Sequence, residues 1–326
     1  MQYRRSVLIT LRTVFITVVF ISAAWSPSGA QSTSLVRRGT VAGSASTMAA
    51  SAQLLAIADG STVRMIDVSR PGSAVVVGEH TFTDDVLALA VDGSTVYVAN
   101  SHEGLHLLDV SNSSAPAAQD VSPTRGQAVG VAVSGEHAFV ADNSLGFDVV
   151  STVGGVNRVG EYLGDGFPRA IGAVGNLVFV ADQPNGLIVV DVSIPAAPEP
   201  VGMLSLGADM ITRVIVPQVV TGEPLPAVVC VASARAGLQV VDVSTPSAPV
   251  VVAPIPTAGQ PRGIAIRGHE VFVISDSTLE IFDLSQPLQP SRVVSHDVGE
   301  QAGLVAVNEE LIFVAVAGEV VIFDRR

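Results

Sequence analysis

Short apolar runs alternate with polar punctuation along almost the whole chain. Val129-Gly-Val-Ala-Val, His137-Ala-Phe-Val-Ala and Phe272-Val-Ile are built of small, β-branched and aromatic residues, and Gly, Asn, Asp and Pro separate such runs from one another. None sustains the 3.6-residue period of an amphipathic helix, so the pattern predicts many short strands. The tail of one strand, Gly-Leu-x-Val-Val-Asp-Val-Ser, recurs at residues 186–193 and 237–244, with degenerate copies elsewhere. Its Asp serves as a ruler, with equivalents at Asp67, Asp109, Ser151, Asp191, Asp242, Asp283 and Asp324.

These positions lie about 40 residues apart, with one step, Asp191 to Asp242, about ten residues longer. A unit of that size cannot bury its own apolar face, and strand-built repeats of that period stack as propeller blades. The third unit resolves into four strands at residues 127–133, 138–141, 145–151 and 157–163, joined by turns rich in Gly, Asn and Asp. The seventh unit stops just after its third strand, whereas residues 34–41 read as an unaccompanied fourth. The expected fold is an all-β, seven-bladed β-propeller of four-stranded blades, a single domain over residues 31–326. The N-terminal strand should complete the last blade, which pairs the two ends of the repeat and removes the open seam.

Copies such as Gly186-Leu-Ile-Val-Val-Asp-Val-Ser-Ile-Pro and Thr278-Leu-Glu-Ile-Phe-Asp-Leu-Ser-Gln-Pro resemble the core of the LVIVD-repeat family of secreted bacterial and archaeal β-propellers. The resemblance covers residues 34–326; the third unit departs from it with Ser151 in place of the Asp. It implies the propeller fold and a cell-surface or extracytoplasmic address, and it implies no particular chemistry.

The N-terminus agrees with that address. Arg4, Arg5 and Arg12 border an apolar stretch over residues 13–24, and Ser28-Gly29-Ala30 offers the small residues that signal peptidase cuts after. Residues 1–30 are thus expected to be a signal peptide, of the Sec type in preference to the twin-arginine type that Arg4-Arg5 faintly resembles. The stretch is too short for a membrane span. No Cys follows it to carry a lipid, and the chain is expected to lack a C-terminal anchor because it stops inside the seventh unit. The expected location is periplasmic or secreted, with no membrane span after cleavage.

Charge narrows the partners. Residues 1–30 hold three Arg and no acid, so 17 basic residues less three leave 14 against 30 acidic, a net charge of −16. Such a surface is a poor match for nucleic acid or an anionic membrane. The chain has no Lys, which excludes a P-loop lysine, a Schiff base and pyridoxal phosphate chemistry. The single Cys230 sits in Val228-Val-Cys-Val, reads as a small buried hydrophobe, and can form no intramolecular disulfide.

One motif invites zinc chemistry. His102-Glu103-Gly104-Leu105-His106 matches H-E-x-x-H, which on a helix sets two imidazoles one turn apart. Here it overlays a turn and the start of a strand, where positions i and i+4 stand roughly 13 Å apart, too far for one ion. No G-x-S-x-G, C-x-x-C or dinucleotide fingerprint occurs, and no cofactor is expected. The recurring Asp residues are expected to accept backbone N–H groups in the turns that follow them, turns that Pro71, Pro195, Pro246 and Pro287 stiffen.

If the recurring residues are scaffold, a ligand is read by the residues that differ between units. Turns between second and third strands and links between blades emerge on one face of the ring. That face should carry Asp84, Asp85, His102, Glu103, Arg169, Arg213 and Arg262, together with acids such as Asp142, Asp165, Asp182 and Asp276. Arg169 and Arg262 each precede a turn glycine by the same spacing and belong at the mouth of the central channel, where they either grip an anion or partner or pair with acids such as Asp165 and Asp182. The favoured function is a non-enzymatic extracytoplasmic module that binds a protein or glycan through this face. The alternatives are a lactonase-like hydrolase or lyase, with Asp84, Asp85 and Asp142 converging on one point, and a structural envelope or adhesion component. The extra length around residues 216–227 reads as an extended loop on the opposite face.

Overall fold

Seven four-stranded antiparallel sheets make up the described part of the chain, which in this computed structural model comprises residues 34–206, 211–215, 228–287 and 289–325. The expected signal peptide and the loop at 216–227 lie outside the described residues. Blade 1 holds β2 (Thr47–Ala50), β3 (Leu54–Asp59), β4 (Thr62–Asp67) and β5 (Val75–Thr81). Blade 2 holds β6 (Ala88–Asp92), β7 (Thr95–Asn100), β8 (Gly104–Asp109) and β9 (Ala117–Ser122), and blade 3 holds β10 (Ala128–Ser134), β11 (His137–Asp142), β12 (Gly146–Ser151) and β13 (Asn157–Leu163). Blade 4 follows with β14 (Phe167–Val174), β15 (Leu177–Gln183), β16 (Gly186–Asp191) and β17 (Glu199–Leu204). Blade 5 has β18 (Ile211–Ile215), β19 (Val228–Ser233), β20 (Gly237–Asp242) and β21 (Val250–Ile255), and blade 6 has β22 (Pro261–Arg267), β23 (Glu270–Ser275), β24 (Thr278–Asp283) and β25 (Ser291–Asp297).

The seventh blade is discontinuous in sequence. β26 (Ala302–Val307), β27 (Leu311–Val316) and β28 (Glu319–Arg325) are completed by β1 (Leu35–Ala42), which pairs antiparallel with β28 from Leu35 opposite Arg325 to Ala42 opposite Glu319. The inner strands touch in order around the ring, β26 meeting β2, so the circle closes as the seam argument requires.

The described apolar core is divided among the blade interfaces. Seven clusters of buried hydrophobics each span two consecutive blades: Phe139 and Phe147 of blade 3 pack on Val180 and Ile188 of blade 4, and Phe272 of blade 6 packs on Ile312 and Phe323 of blade 7. Alternation along each strand sends one set of side chains to the preceding blade and the other to the next, which is why an isolated unit has nothing to bury against. Cys230 belongs to the cluster between blades 5 and 6 and is fully buried, which pushes its thiol up to about 12.

The repeat Asp is a turn device, as its spacing predicted. Asp67, Asp109, Asp191, Asp242 and Asp283 accept the backbone N–H two residues on, at 2.7–2.9 Å. The proline turns that follow have a second use. Gly39, Gly160 and Gly202 of fourth strands press against the carbonyls of Pro71, Pro195 and Pro246 in the next blade, and a Cβ there would stand 1.9–2.2 Å from the oxygen. Glycine is thus required at these points by close approach between blades.

Candidate functional site

The links and the second turns meet on one face. Phe82 N donates to Ser61 O, Gly164 N to Leu145 O and Val298 N to Ser277 O, each bond tying a blade-to-blade link to the adjacent turn. At the centre of the ring a channel of about 650 Å³ runs between the inner strands, lined by side chains such as Met48, Leu89, Val131, Ile171 and Val305. Among the described residues its lining includes Arg169 and no other arginine.

Arg169 and Arg262 are placed by the same device. Each is the extra residue of a β-bulge, between Pro168 and Ala170 in β14 and between Pro261 and Gly263 in β22. A bulge leaves one residue out of the ladder and turns its side chain away from the sheet's alternation. Both arginines are exposed. Arg262 sits 3.5 Å from Asp276, and Arg169 reaches Asn143 Oδ1 of blade 3 at 3.4 Å. Among the described residues Arg169 makes no ion pair; Asp165 and Asp182 are bound instead by Asn185. Arg213 differs in register: it pairs with Ala232, and Thr212 occupies the bulge position in β18. The side chain of Arg213 lies outside the described residues.

Asp84, His102 and Glu103 belong to a separate network over blade 2. Asp84 accepts the backbone N–H groups of Asp85 and His102 at 2.9 and 3.1 Å and lies 3.0 Å from His102 Nδ1. The Asp85 N–H first, then the His102 ring and backbone N–H, hold its carboxyl down to about 2. Asp85 itself is exposed. Glu103 takes Asn100 Nδ2 at 2.6 Å and the Thr83 hydroxyl, and stands 3.3 Å from His106 Nε2. Burial against Phe82 pushes the His106 pKa down, and Glu103 offsets part of that. Ser101 Oγ also approaches His102, at 3.1 Å, but at the same Nδ1 that faces Asp84, so the three do not form a Ser-His-Asp relay.

The zinc motif is divided by its own geometry. His102 is in the turn, 74% exposed and engaged with Asp84, whereas His106 is in β8 and turned inward. Among the described residues no three His, Cys, Asp or Glu side chains are grouped to hold a metal ion. The three acids expected of a hydrolase site are likewise apart in role: Asp142 is buried and spends its carboxylate on Gly126 N at 2.6 Å and Ser144 N at 3.2 Å, while Asp84 and Asp85 lie in the link before blade 2.

Residues 85–120, 125–151, 166–204 and 229–257 match the LVIVD repeat. Those stretches fall on blades 2 to 5. The chain is a β-propeller that carries four LVIVD repeats. No curated protein matches it. The LVIVD propeller is similar in fold to the crystal structure of the computationally designed Ika8 protein, with TM-score 0.64 and 11% identity over 90% of this chain and 99% of that one. It is also similar to the β-propeller domain of Cps50 (Swd1) from Myceliophteria thermophila, with TM-score 0.72 and 13% identity over 89% and 99%. At such identities the likeness is one of fold alone.

Sequence reasoning passed over two residues of the LVIVD propeller that the structure brings forward. Phe167 opens β14 and is 50% exposed, two positions from the exposed Arg169, and Leu163, at the end of β13, is 58% exposed. The signal was present in Leu163-Gly-Asp-Gly-Phe167, where two large apolar residues flank a blade-to-blade link rather than a strand interior. Large apolar groups on a link are not needed to build a blade.

Proposed function

We propose that this LVIVD propeller is a non-enzymatic, extracytoplasmic binding module that engages a protein partner through the face bearing its links and second turns. The observation that carries the reading is the pair of exposed residues Phe167 and Arg169 at the start of β14, Arg169 lining the channel, with exposed Leu163 at the other end of the same link. Aromatic residues and arginine dominate the energetics of protein interfaces, and Arg169 makes no ion pair within the described residues that a partner would have to break. The ring supplies a rigid base, so little ordering is lost on binding. Export rests on the basic and apolar residues 1–30 and on the small residues at 28–30.

Crosslinking pull-down from envelope and medium extracts tests the proposal, with residues 31–326 beside a Phe167→Ala/Arg169→Ala variant. A protein captured by the first and lost with the equally folded second supports it. Capture unchanged by the variant, or no capture by either, refutes the site.

A further inference from the structure

Five buried side-chain atoms lack a hydrogen-bond partner among the described residues, Asn100 Oδ1, Asp148 Oδ2, Ser233 Oγ, Gln239 Oε1 and Ser275 Oγ, and a related polar atom, His106 Nε2, faces Glu103 Oε2 at 3.3 Å. They are not scattered. Asn100, Ser233 and Ser275 end the second strands of blades 2, 5 and 6, and His106, Asp148 and Gln239 take the third position of the third strands in blades 2, 3 and 5. Only these two positions of the repeat are involved.

Register brings the two positions together. Ser233 is opposite Gly237 and Val231 is opposite Gln239, so Ser233 and Gln239 are diagonal neighbours on one face of the sheet. Asn100 and His106, Asp142 and Asp148, and Ser275 and Glu280 stand in the same relation. Diagonal Cβ atoms lie about 7–8 Å apart, too far for short side chains to bond directly and suited to one bridging water. The residue opposite the first position is Gly146 in blade 3 and Gly237 in blade 5, so it sends no side chain into the gap, whereas in blade 2 Glu103 fills it, reaching Asn100 Nδ2 at 2.6 Å and His106 Nε2 at 3.3 Å.

This face looks toward the preceding blade. Val231 lies in the cluster between blades 4 and 5, and Val98 in that between blades 1 and 2. The incoming link passes over the top: Gly126 N donates to Asp142, and Ala258 N to Glu280 at 2.8 Å. Each site is thus a small polar chamber at the rim of a blade interface. Leaving a polar atom unpaired in such a chamber costs about 1–3 kcal/mol, and that cost is recovered if a water supplies the missing bond.

We propose that three blade interfaces, those preceding blades 3, 5 and 6, each bind one buried water between these two repeat positions. The remaining blades are built-in controls. Blade 7 has Val316 and Val321 at the two positions, blade 4 has Ile188 with Asp182 already bonded to Asn185, blade 2 has Glu103 set between Asn100 and His106, and blade 1 has Asp59 3.9 Å from Arg64. Water is chosen over a cation because the free groups are amide and hydroxyl oxygens, with a single free carboxylate oxygen among them.

A high-resolution crystal structure of the wild type, and of a Ser233→Val/Gln239→Val variant that copies blade 7, tests this. The expected result is a fully bonded water in all three chambers and none beside Val316 and Val321. The variant should lose the water before blade 5, keep the other two, and melt no lower than wild type, since apolar residues replace both unpaired groups. Wild-type side chains found turned onto one another without water, or a chamber in blade 7 as wet as the rest, overturn the proposal. The wild-type arm decides even if the variant does not fold.

Discussion

Arg38 of β1 closes its guanidinium on the carboxylate of Asp324 in β28, 286 positions away in the chain, with Nε at 3.1 Å. Asp324 holds the seventh ruler position and is the sixth Asp among them, yet it departs from the five that cap their own turns: it is spent on fastening the N-terminal strand. The pair is about one-third exposed, so Arg38→Ala should cost only about 0.2–1 kcal/mol. Removing residues 34–41 is a different matter, because it uncovers β28 and strips Leu35 and Val41 from the two interfaces of blade 7. That deletion should lower the melting temperature markedly, and a melt unchanged from wild type would refute closure by β1.

Gly160 separates crowding from conformational strain. Its Cβ would stand 1.9 Å from Pro195 O in the next blade, a backbone atom that cannot swing away. Gly160→Ala should therefore destabilise by roughly 1–3 kcal/mol or more through overpacking at the interface of blades 3 and 4. Gly135, at φ +58° with nothing near its missing Cβ, should lose only about 1–2 kcal/mol on the same change. Urea unfolding of the two variants checks the order; equal losses would deny that the proline turn seats on the neighbouring glycine.

Asn308 joins blade 7 to blade 1 at the opposite end of the closure. Its Nδ2 donates to Ser51 O and Ala52 O at 3.2 and 2.9 Å, and its Oδ1 accepts Glu310 N and Leu311 N. Asn308→Asp keeps the acceptors and removes the donors, leaving a carboxylate against two carbonyls. A loss of about 1–3 kcal/mol is expected in denaturant unfolding at neutral pH, smaller once the Asp is protonated in acid. The same loss at both pH values would point to packing rather than to the lost donors.

Much of the fold was legible because the repeat is periodic and the turn chemistry is local. Asp191 and Asp242 mark equivalent turns from sequence alone, and β1 was visible as a strand without a partner. The third-strand position x was not legible as a buried one. His106, Asp148, Gln239 and Glu280 look like solvent-facing residues in an alternating strand, but both faces of a blade are covered, so the polar side is an interface too. Asp142 was read as a surface acid for the same reason and is buried under the link it caps. Arg169 and Arg262 occupy equivalent bulge positions, whereas the offset of Arg213 depends on where the bulge falls, which one turn spacing cannot locate.

Blade 2 should register acid in two separate pH windows. His106 is flanked by Phe82, His80 and Glu103, and burial depresses its pKa in the folded state. The unfolded chain therefore takes up the proton first, so stability is fully present above the ordinary histidine value of about 6.5 and declines as pH falls below it toward the folded value. His106→Gln, which copies Gln239, should flatten that limb. Asp84 acts lower: its folded pKa of about 2 lies beneath the ordinary carboxylate value of 3.8, so its contribution is held above 3.8 and lost as pH falls toward 2. Asp84→Asn should remove that second limb and leave the first unchanged. Melting temperatures of both variants and wild type across about pH 2 to 8 test the assignment. A His106→Gln curve parallel to wild type just below the histidine value would show that the acid sensitivity arises elsewhere.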